Sequence, residues 1–219
     1  MKPLLSESED QDALRTLGRA SVQVVHDLKN QLNGLKLYAT FLKKRLEKSE
    51  RPVEELETIN KILDGLDRSA RDASLIADYG RPIQLRKQAG VELETIVRQS
   101  ATGLDMKLNT GATRLTGEFD PILLADAFKT VSASAMQMVN AKGADALLEI
   151  DLNDESAEGK RYAVIEWKIL DLSDHDPFRS FAGSNEIRLA LAAKIIGAHG
   201  GSATREHDAL RIRLPLDDE

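Results

Sequence analysis

The chain has 219 residues, 42% hydrophobic and 30% charged, with a formal net charge of -6. That suits one or two globular domains, and the lack of a long basic run argues against nucleic acid as a partner. There is no cysteine, which excludes disulfides and thiolate metal sites, and no apolar run approaches the roughly 20 residues that span a bilayer. The acidic Ser6-Glu7-Ser8-Glu9-Asp10 after Met1-Lys2-Pro3-Leu4-Leu5 is not a secretory signal, so a cytoplasmic protein with no membrane partner is expected.

Residues 1–10 are expected to be disordered. From about Gln11 to Leu46, apolar residues at Leu14, Leu17, Val24, Val25, Leu28, Leu32, Leu35, Phe41, Leu42 and Leu46 recur mostly at steps of three or four. That spacing predicts one helix on the order of 50 Å long. The run Glu47-Lys48-Ser49-Glu50-Arg51-Pro52 breaks the pattern. Pro52, Glu54 and Glu55 suit the first turn of a second helix. It carries Val53, Leu56, Ile59, Ile62, Leu63, Leu66, Ala70, Ala73 and Ile76 and stops at Tyr79-Gly80-Arg81-Pro82. Residues 11–80 thus read as a long antiparallel helical hairpin. Two helices cannot cover apolar stripes of that length, so a second copy is expected to complete a four-helix bundle, making a homodimer. The alternative is packing against the chain's own second half.

Residues 81–219 are mixed. Ile83 to Arg86, Thr113 to Phe119, Ala146 to Leu152, Tyr162 to Leu172 and Ala209 to Leu214 read as strands. Val91 to Leu104, Pro121 to Val139 and Ile187 to Ala198 read as helices, and the polar stretch from Asn153 to Gly159 as a hairpin loop. The fold class is α+β, the hairpin followed by an α/β sandwich with largely antiparallel strands.

The chemistry concentrates in His26-Asp27-Leu28-Lys29-Asn30 on the first helix. Residues three or four apart share a face, so Val22, His26, Lys29, Asn30 and Asn33 line one side, mostly away from Val25, Leu28, Leu32 and Leu35. His26 is expected to face solvent. Asp27, about 100° around the helix, can approach the imidazole; a carboxylate on Nδ1 fixes the tautomer and makes Nε2 the nucleophile. Lys29 can neutralise phosphoryl charge, and Asn30 can orient water or an acceptor carboxylate. On composition alone, a lone His beside an Asp on a polar face is usually plain surface. His199 before Gly200-Gly201 reads as a helix-end residue, His175 and His207 as turn residues and Trp167 as core.

Val25-His26-Asp27-Leu28-Lys29-Asn30-Gln31-Leu32 in a helical hairpin resembles the H-box of two-component sensor histidine kinases. The resemblance implies that His26 is the phosphoacceptor, Asp27 its acidic neighbour, and Asn30 the polar residue linked to dephosphorylation of the response regulator. Gln31 stands where many members have a helix-bending proline. The second half looks like the family's ATP-binding domain: Asp120-Pro121-Ile122-Leu123-Leu124 resembles the start of the N-box helix. Ile195-Ile196-Gly197-Ala198-His199-Gly200-Gly201 resembles the end of the helix after the G2 box, and Leu210-Arg211-Ile212-Arg213-Leu214-Pro215 the closing strand. Phe178 and Phe181 resemble the F-box but suit core or lid packing equally.

The nucleotide residues do not carry over. The two N-box asparagines fall at Thr130 and Ser134. Asp171 matches the adenine-reading aspartate, but the glycines expected after it are Ser173 and His175. The G2 glycines become Glu186 and Arg188. Glycines let backbone amides approach phosphates, so their loss argues against ordinary ATP-Mg²⁺ binding. The sequence therefore leads to a histidine phosphotransferase of a phosphorelay. It would bind no cofactor itself and exchange a phosphoryl group with a response-regulator receiver domain that holds the Mg²⁺. The alternatives are a cytosolic sensor histidine kinase with a divergent ATP site, and a non-catalytic regulator-binding or phosphatase module.

Overall fold

The computed structural model describes residues 7–47, 53–111, 114–141, 147–157, 159–169, 176–181 and 183–217, with residues 7–20 and 53 as backbone alone. The expectations placed on Pro52, Thr113, Ala146, Asp171, Leu172, Ser173 and His175, and on the side chains of Leu14, Leu17 and Val53, lie outside the described residues. Two compact units divide at Pro82/Ile83.

The first unit is a pair of helices, α1 (Glu7–Glu47) and α2 (Val53–Gly80). Helix α1 starts at Glu7, so Glu7 to Asp10, expected to be disordered, are helical. The helices run antiparallel: Val22 lies against Gly80, and Lys36 pairs with Asp67. Near the turn, Leu42 and Leu46 share a groove with Ile59 and Ile62. The buried and half-buried residues of α1 include Val22, Val25, Lys29, Leu32, Lys36, Ala39, Lys43 and Leu46, at alternating steps of three and four, with Gly34 and Thr40 beside them. On α2 the buried and half-buried apolar residues include Leu56, Ile59, Leu63, Leu66, Ala70, Ala73 and Ala77, with the same alternation. A strict seven-residue repeat on both helices is the pattern of a coiled-coil seam. Leu28 and Leu35, expected to be turned inward, are 48% and 54% exposed. They belong to a second stripe of Val24, Leu28, Gln31, Leu35, Tyr38 and Leu42, again at steps of four and three, that α2 does not cover.

The second unit contains β1 (Gln88–Glu92), α3 (Leu93–Ser100), β2 (Met106–Thr110), β3 (Thr116–Phe119), α4 (Pro121–Asn140), β4 (Leu148–Ala157) and β5 (Lys160–Lys168). A 3-10 turn (Pro177–Arg179), α5 (Ser184–Ala198), β6 (Ser202–Glu206) and β7 (Ala209–Pro215) complete it. The main sheet has the order β2-β4-β5-β7-β6. Strand β2 is parallel to β4 and the other pairs are antiparallel, so the sheet is mixed. Strands β1 and β3 form a separate antiparallel pair.

Alternate residues of the sheet (Ile150, Leu152, Ile165, Trp167, Leu210 and Ile212) are buried with Leu93, Val97, Phe128, Val131, Leu189 and Ile196 of α3, α4 and α5. Full burial of an aliphatic or Phe side chain contributes about 1.5–3 kcal/mol. Phe128 meets Trp167 with tilted rings 5.7 Å apart, and the Trp167 indole N–H donates to Ser132 Oγ at 2.8 Å, which satisfies the one polar atom of that ring. The opposite sheet face carries ion pairs instead, Lys168 with Asp151 and Glu166, and Arg211 with Glu155, Glu166 and Glu206.

Several readings need correction: β1 was not expected, Val91 and Glu92 are strand rather than helix, and Asn153 to Ala157, expected in a loop, extend β4. Ile83 to Arg86 is not a strand: the Arg86 N–H donates to Asp120 Oδ2 at 2.8 Å rather than to a ladder. Strands β2 and β6, which carry little apolar alternation, are added; each lies at an edge, held by backbone pairing to one neighbour.

A buried polar node joins Asp120 and His199. Asp120 caps α4, accepting from the Ile122 and Leu123 N–H groups at 3.1 Å each. Its own N–H donates to His199 Nε2 at 3.0 Å, while Nδ1 lies 2.8 Å from the Ile195 carbonyl. That arrangement requires the neutral, Nδ1-protonated ring. The helix-end role expected of His199 is observed, and Gly200, at φ 81°, turns the chain out of α5. Burial pushes the His199 imidazole below its usual value, although the Ile195 carbonyl and the Asp120 charge pull the other way; nearby Lys87 adds to the lowering. Burial alone raises Asp120, but N–H donors from Arg86, Leu123 and Ile122 outweigh it and hold the carboxyl below the usual range.

Both lowered groups are stabilising at neutral pH and lose that contribution on acidification. Stability should therefore fall as pH drops below about 6.5, where an unfolded imidazole binds a proton, and fall again as pH drops through the depressed Asp120 value. In urea titrations across this range, His199→Phe should flatten the upper limb and cost about 1–3 kcal/mol at neutral pH for the stranded Asp120 N–H. An unchanged pH profile in the variant would reject the assignment.

Candidate functional site: a histidine on an exposed helix face

His26 lies in the interior of α1, so its position is set by continuous helical hydrogen bonding. Its side chain is 56% exposed and that of Asp27 is 60% exposed. The ring nitrogen Nδ1 is the contact point. Asp27 Oδ1 stands 3.6 Å from it and Asn30 Nδ2 3.4 Å. A carboxamide turned over presents its oxygen in place of its nitrogen, so Asn30 can serve either tautomer. The Asp27 carboxylate favours a proton on Nδ1, which leaves the lone pair on Nε2.

The structure thus brings His26, Asp27 and Asn30 together. Lys29 is half-buried on the seam with α2, with the same repeat as Lys36 and Lys43. Its neighbours along the seam are Val22, Val25 and Leu32. Gln23 was not evident from the motif: its Nε2 donates to Asp27 Oδ1 at 3.0 Å. The signal for it was the four-residue spacing on one helix.

In the second unit, Thr130, Ser134 and Glu186, which stand where the resemblance would place nucleotide residues, make contacts within the protein. The Thr130 hydroxyl donates to the Asp126 carbonyl of its own helix at 3.0 Å. Ser134 is buried, and its Oγ donates to Asn185 Oδ1 on α5 at 2.8 Å. Glu186, in the first turn of α5, folds back over the helix start: a Cβ added at Gly183 would lie 2.9 Å from Glu186 Oε2. A carboxylate there meets the positive end of the helix, where an anion would otherwise bind. Arg188 is exposed. Phe178 is buried and Phe181 is 53% exposed, so only the first is core. Among the described residues, no group of three or more His, Asp or Glu side chains is arranged to hold a metal ion. Nor is any described helix long and apolar enough to cross a membrane.

The chain has a histidine-kinase-like fold. The solved structure of full-length ShkA in complex with AMPPNP matches with a TM-score of 0.62 at 15% identity, over 92% of this chain and 46% of that one. The histidine kinase AdeS of Acinetobacter baumannii matches with a TM-score of 0.55 at 14% identity, over 88% of this chain and 98% of that one. The chain thus spans less than half the length of ShkA. No protein-family model and no curated protein sequence matches it. At these identities the likeness establishes the fold and nothing of the activity.

Ser134→Ala should lower stability by about 1–3 kcal/mol in urea denaturation, because Asn185 loses its donor in a half-buried setting. A variant as stable as the parent would show that the Ser134–Asn185 bond does not hold α4 to α5.

Proposed function

We propose that this chain is a histidine phosphotransferase of a two-component phosphorelay, exchanging a phosphoryl group with a response-regulator receiver domain without binding ATP. The observation that carries the reading is the contrast between the two units: His26 is open, while the start of α5 is taken by Glu186 and Ser134 is bonded to Asn185. An ATP-Mg²⁺ group does not fit these residues, since Glu186 would face its phosphates and Ser134 offers a hydroxyl already in use. The magnesium of the reaction belongs to the receiver.

In the proposed step, the Nε2 lone pair attacks the phosphorus of the receiver's aspartyl phosphate. The N–P bond forms as the P–O bond to the carboxyl group breaks, and the receiver keeps the carboxylate. The ring, still protonated at Nδ1, gains positive charge that Asp27 offsets. The reverse transfer retraces the same path. Lys29 is the proposed partner for phosphoryl oxygens. The receiver would dock on the face holding His26, Asn30 and Asn33, which continues to Leu37, itself 54% exposed. The uncovered stripe with Leu28 and Leu35 would meet a second copy, giving a dimeric four-helix bundle in the cytoplasm.

A second reading, a sensor kinase with a divergent ATP site, draws on the likeness to AdeS along nearly all of that chain. Nucleotide separates the two. Millimolar ATP with magnesium should leave the melting temperature unchanged, because only a bound ligand stabilises the fold; a rise would favour the kinase. Incubation with a phosphorylated receiver should give acid-labile, base-stable phosphate on the parent chain and none on His26→Ala. Phosphate on that variant, or none on the parent, would reject the relay.

The dimer has its own check. Leu28→Glu combined with Leu35→Glu should convert the parent dimer to a monomer in sedimentation experiments, with helix content retained. A parent that sediments as a monomer would remove the second copy from the proposal.

A further inference from the structure

We infer that Gln23 is a positioning residue for the phosphoacceptor: it draws the Asp27 carboxylate around the helix toward His26 Nδ1 and so selects Nε2 as the nucleophile. The inference rests on the relay reading for its purpose, but its geometry stands alone.

Successive residues on an α-helix are about 100° apart, so an unassisted Asp27 side chain leaves the helix well away from the imidazole. Gln23, three residues before His26, sits about 60° around from it, on the Asp27 side and one turn toward the N-terminus. Helical side chains lean toward the N-terminus, which brings Asp27 over Gln23. The hydrogen bond from Gln23 Nε2 to Asp27 Oδ1 is 3.0 Å long, and that same oxygen is the one 3.6 Å from His26 Nδ1. One carboxylate oxygen has lone pairs for both donors. Asn30 approaches Nδ1 from the next turn at 3.4 Å, and with its carboxamide turned over it accepts from a protonated Nδ1. Nδ1 is therefore bracketed by a held carboxylate and a carboxamide, and neither contact involves Nε2. An imidazole in water has no such bias between its nitrogens built into its surroundings. A carboxylate fixed beside one nitrogen keeps the proton there and leaves the other nitrogen nucleophilic.

The direct readout is the ring tautomer. On full-length ¹⁵N-labelled protein, the His26 ring nitrogens, assigned by their loss in His26→Ala, report the share of the Nδ1-protonated neutral form. Gln23→Ala should lower the ratio of that form to the other by roughly 1.4- to 2.3-fold, the scale of one exposed hydrogen bond between residues four apart. Gln23→Glu, which repels Asp27 and cannot donate, should lower it at least as far. Circular dichroism of both variants should match the parent, which separates positioning from helix loss. Transfer from a phosphorylated receiver should slow by a similar factor with unchanged receiver affinity. Ring-nitrogen shifts that stay fixed in Gln23→Ala overturn the inference, even if transfer proceeds. Shifts that move in a parent that never takes phosphate uphold it while the relay reading falls.

Discussion

A long helix with apolar residues on two stripes has two faces to bury, and a hairpin covers one. That constraint governs the first unit. The stripe of Val25, Leu32 and Ala39 is covered by α2, whereas Leu28 and Leu35 remain bare. The remaining face, polar around His26 and Asn30, is neither covered by α2 nor part of the bare stripe. Placing the histidine there leaves it accessible whatever covers the second stripe. The seam also contains Lys29, Lys36 and Lys43, which a purely apolar interface would not select. Lys36 finds Asp67 across it. A slip of one heptad would set Lys36 against Asn60 or Ser74 and strand Asp67. The pair therefore contributes more to register than to stability, as polar residues in coiled-coil seams do.

The two units treat their polar side chains in opposite ways. Around His26 the contacts are longer than firm hydrogen bonds, and both partners are largely exposed. In the second unit the polar groups are closed on one another. Asp120 takes three backbone N–H donors, His199 has a partner at each ring nitrogen, and Ser134 binds Asn185. Closed networks of this kind hold helices in place at the cost of being unavailable to a ligand.

Much of this was legible in the sequence, for identifiable reasons. The long helices α1, α2 and α4 announce themselves by spacing sustained over many turns, and α4 also by Asp120-Pro121 at its start. The short edge strands β2 and β6 do not: Met106-Lys107-Leu108-Asn109-Thr110 and Ser202-Ala203-Thr204-Arg205-Glu206 have too few apolar residues, and their state is decided by the neighbouring strand. Burial on α1 was only half legible, because periodicity finds apolar stripes without saying which one the hairpin covers. At the candidate site, His26, Asp27 and Asn30 follow from local spacing, and so in retrospect does Gln23. The Ser134–Asn185 bond joins residues 51 positions apart, and no local pattern foretells it.

The outer face of the sheet holds one residue whose neighbours constrain its history. Arg211, on β7, sits between Glu155 of β4, Glu166 of β5 and Glu206 of β6. Each acid could be replaced singly with Arg211 still compensated by the others. Loss of Arg211 would remove a cation shared by all three acids, of which Glu155 keeps Arg213 and Glu166 keeps Lys168. The cost of losing the arginine therefore falls chiefly on Glu206, and the effect of one substitution on this surface depends on which of its neighbours has already gone.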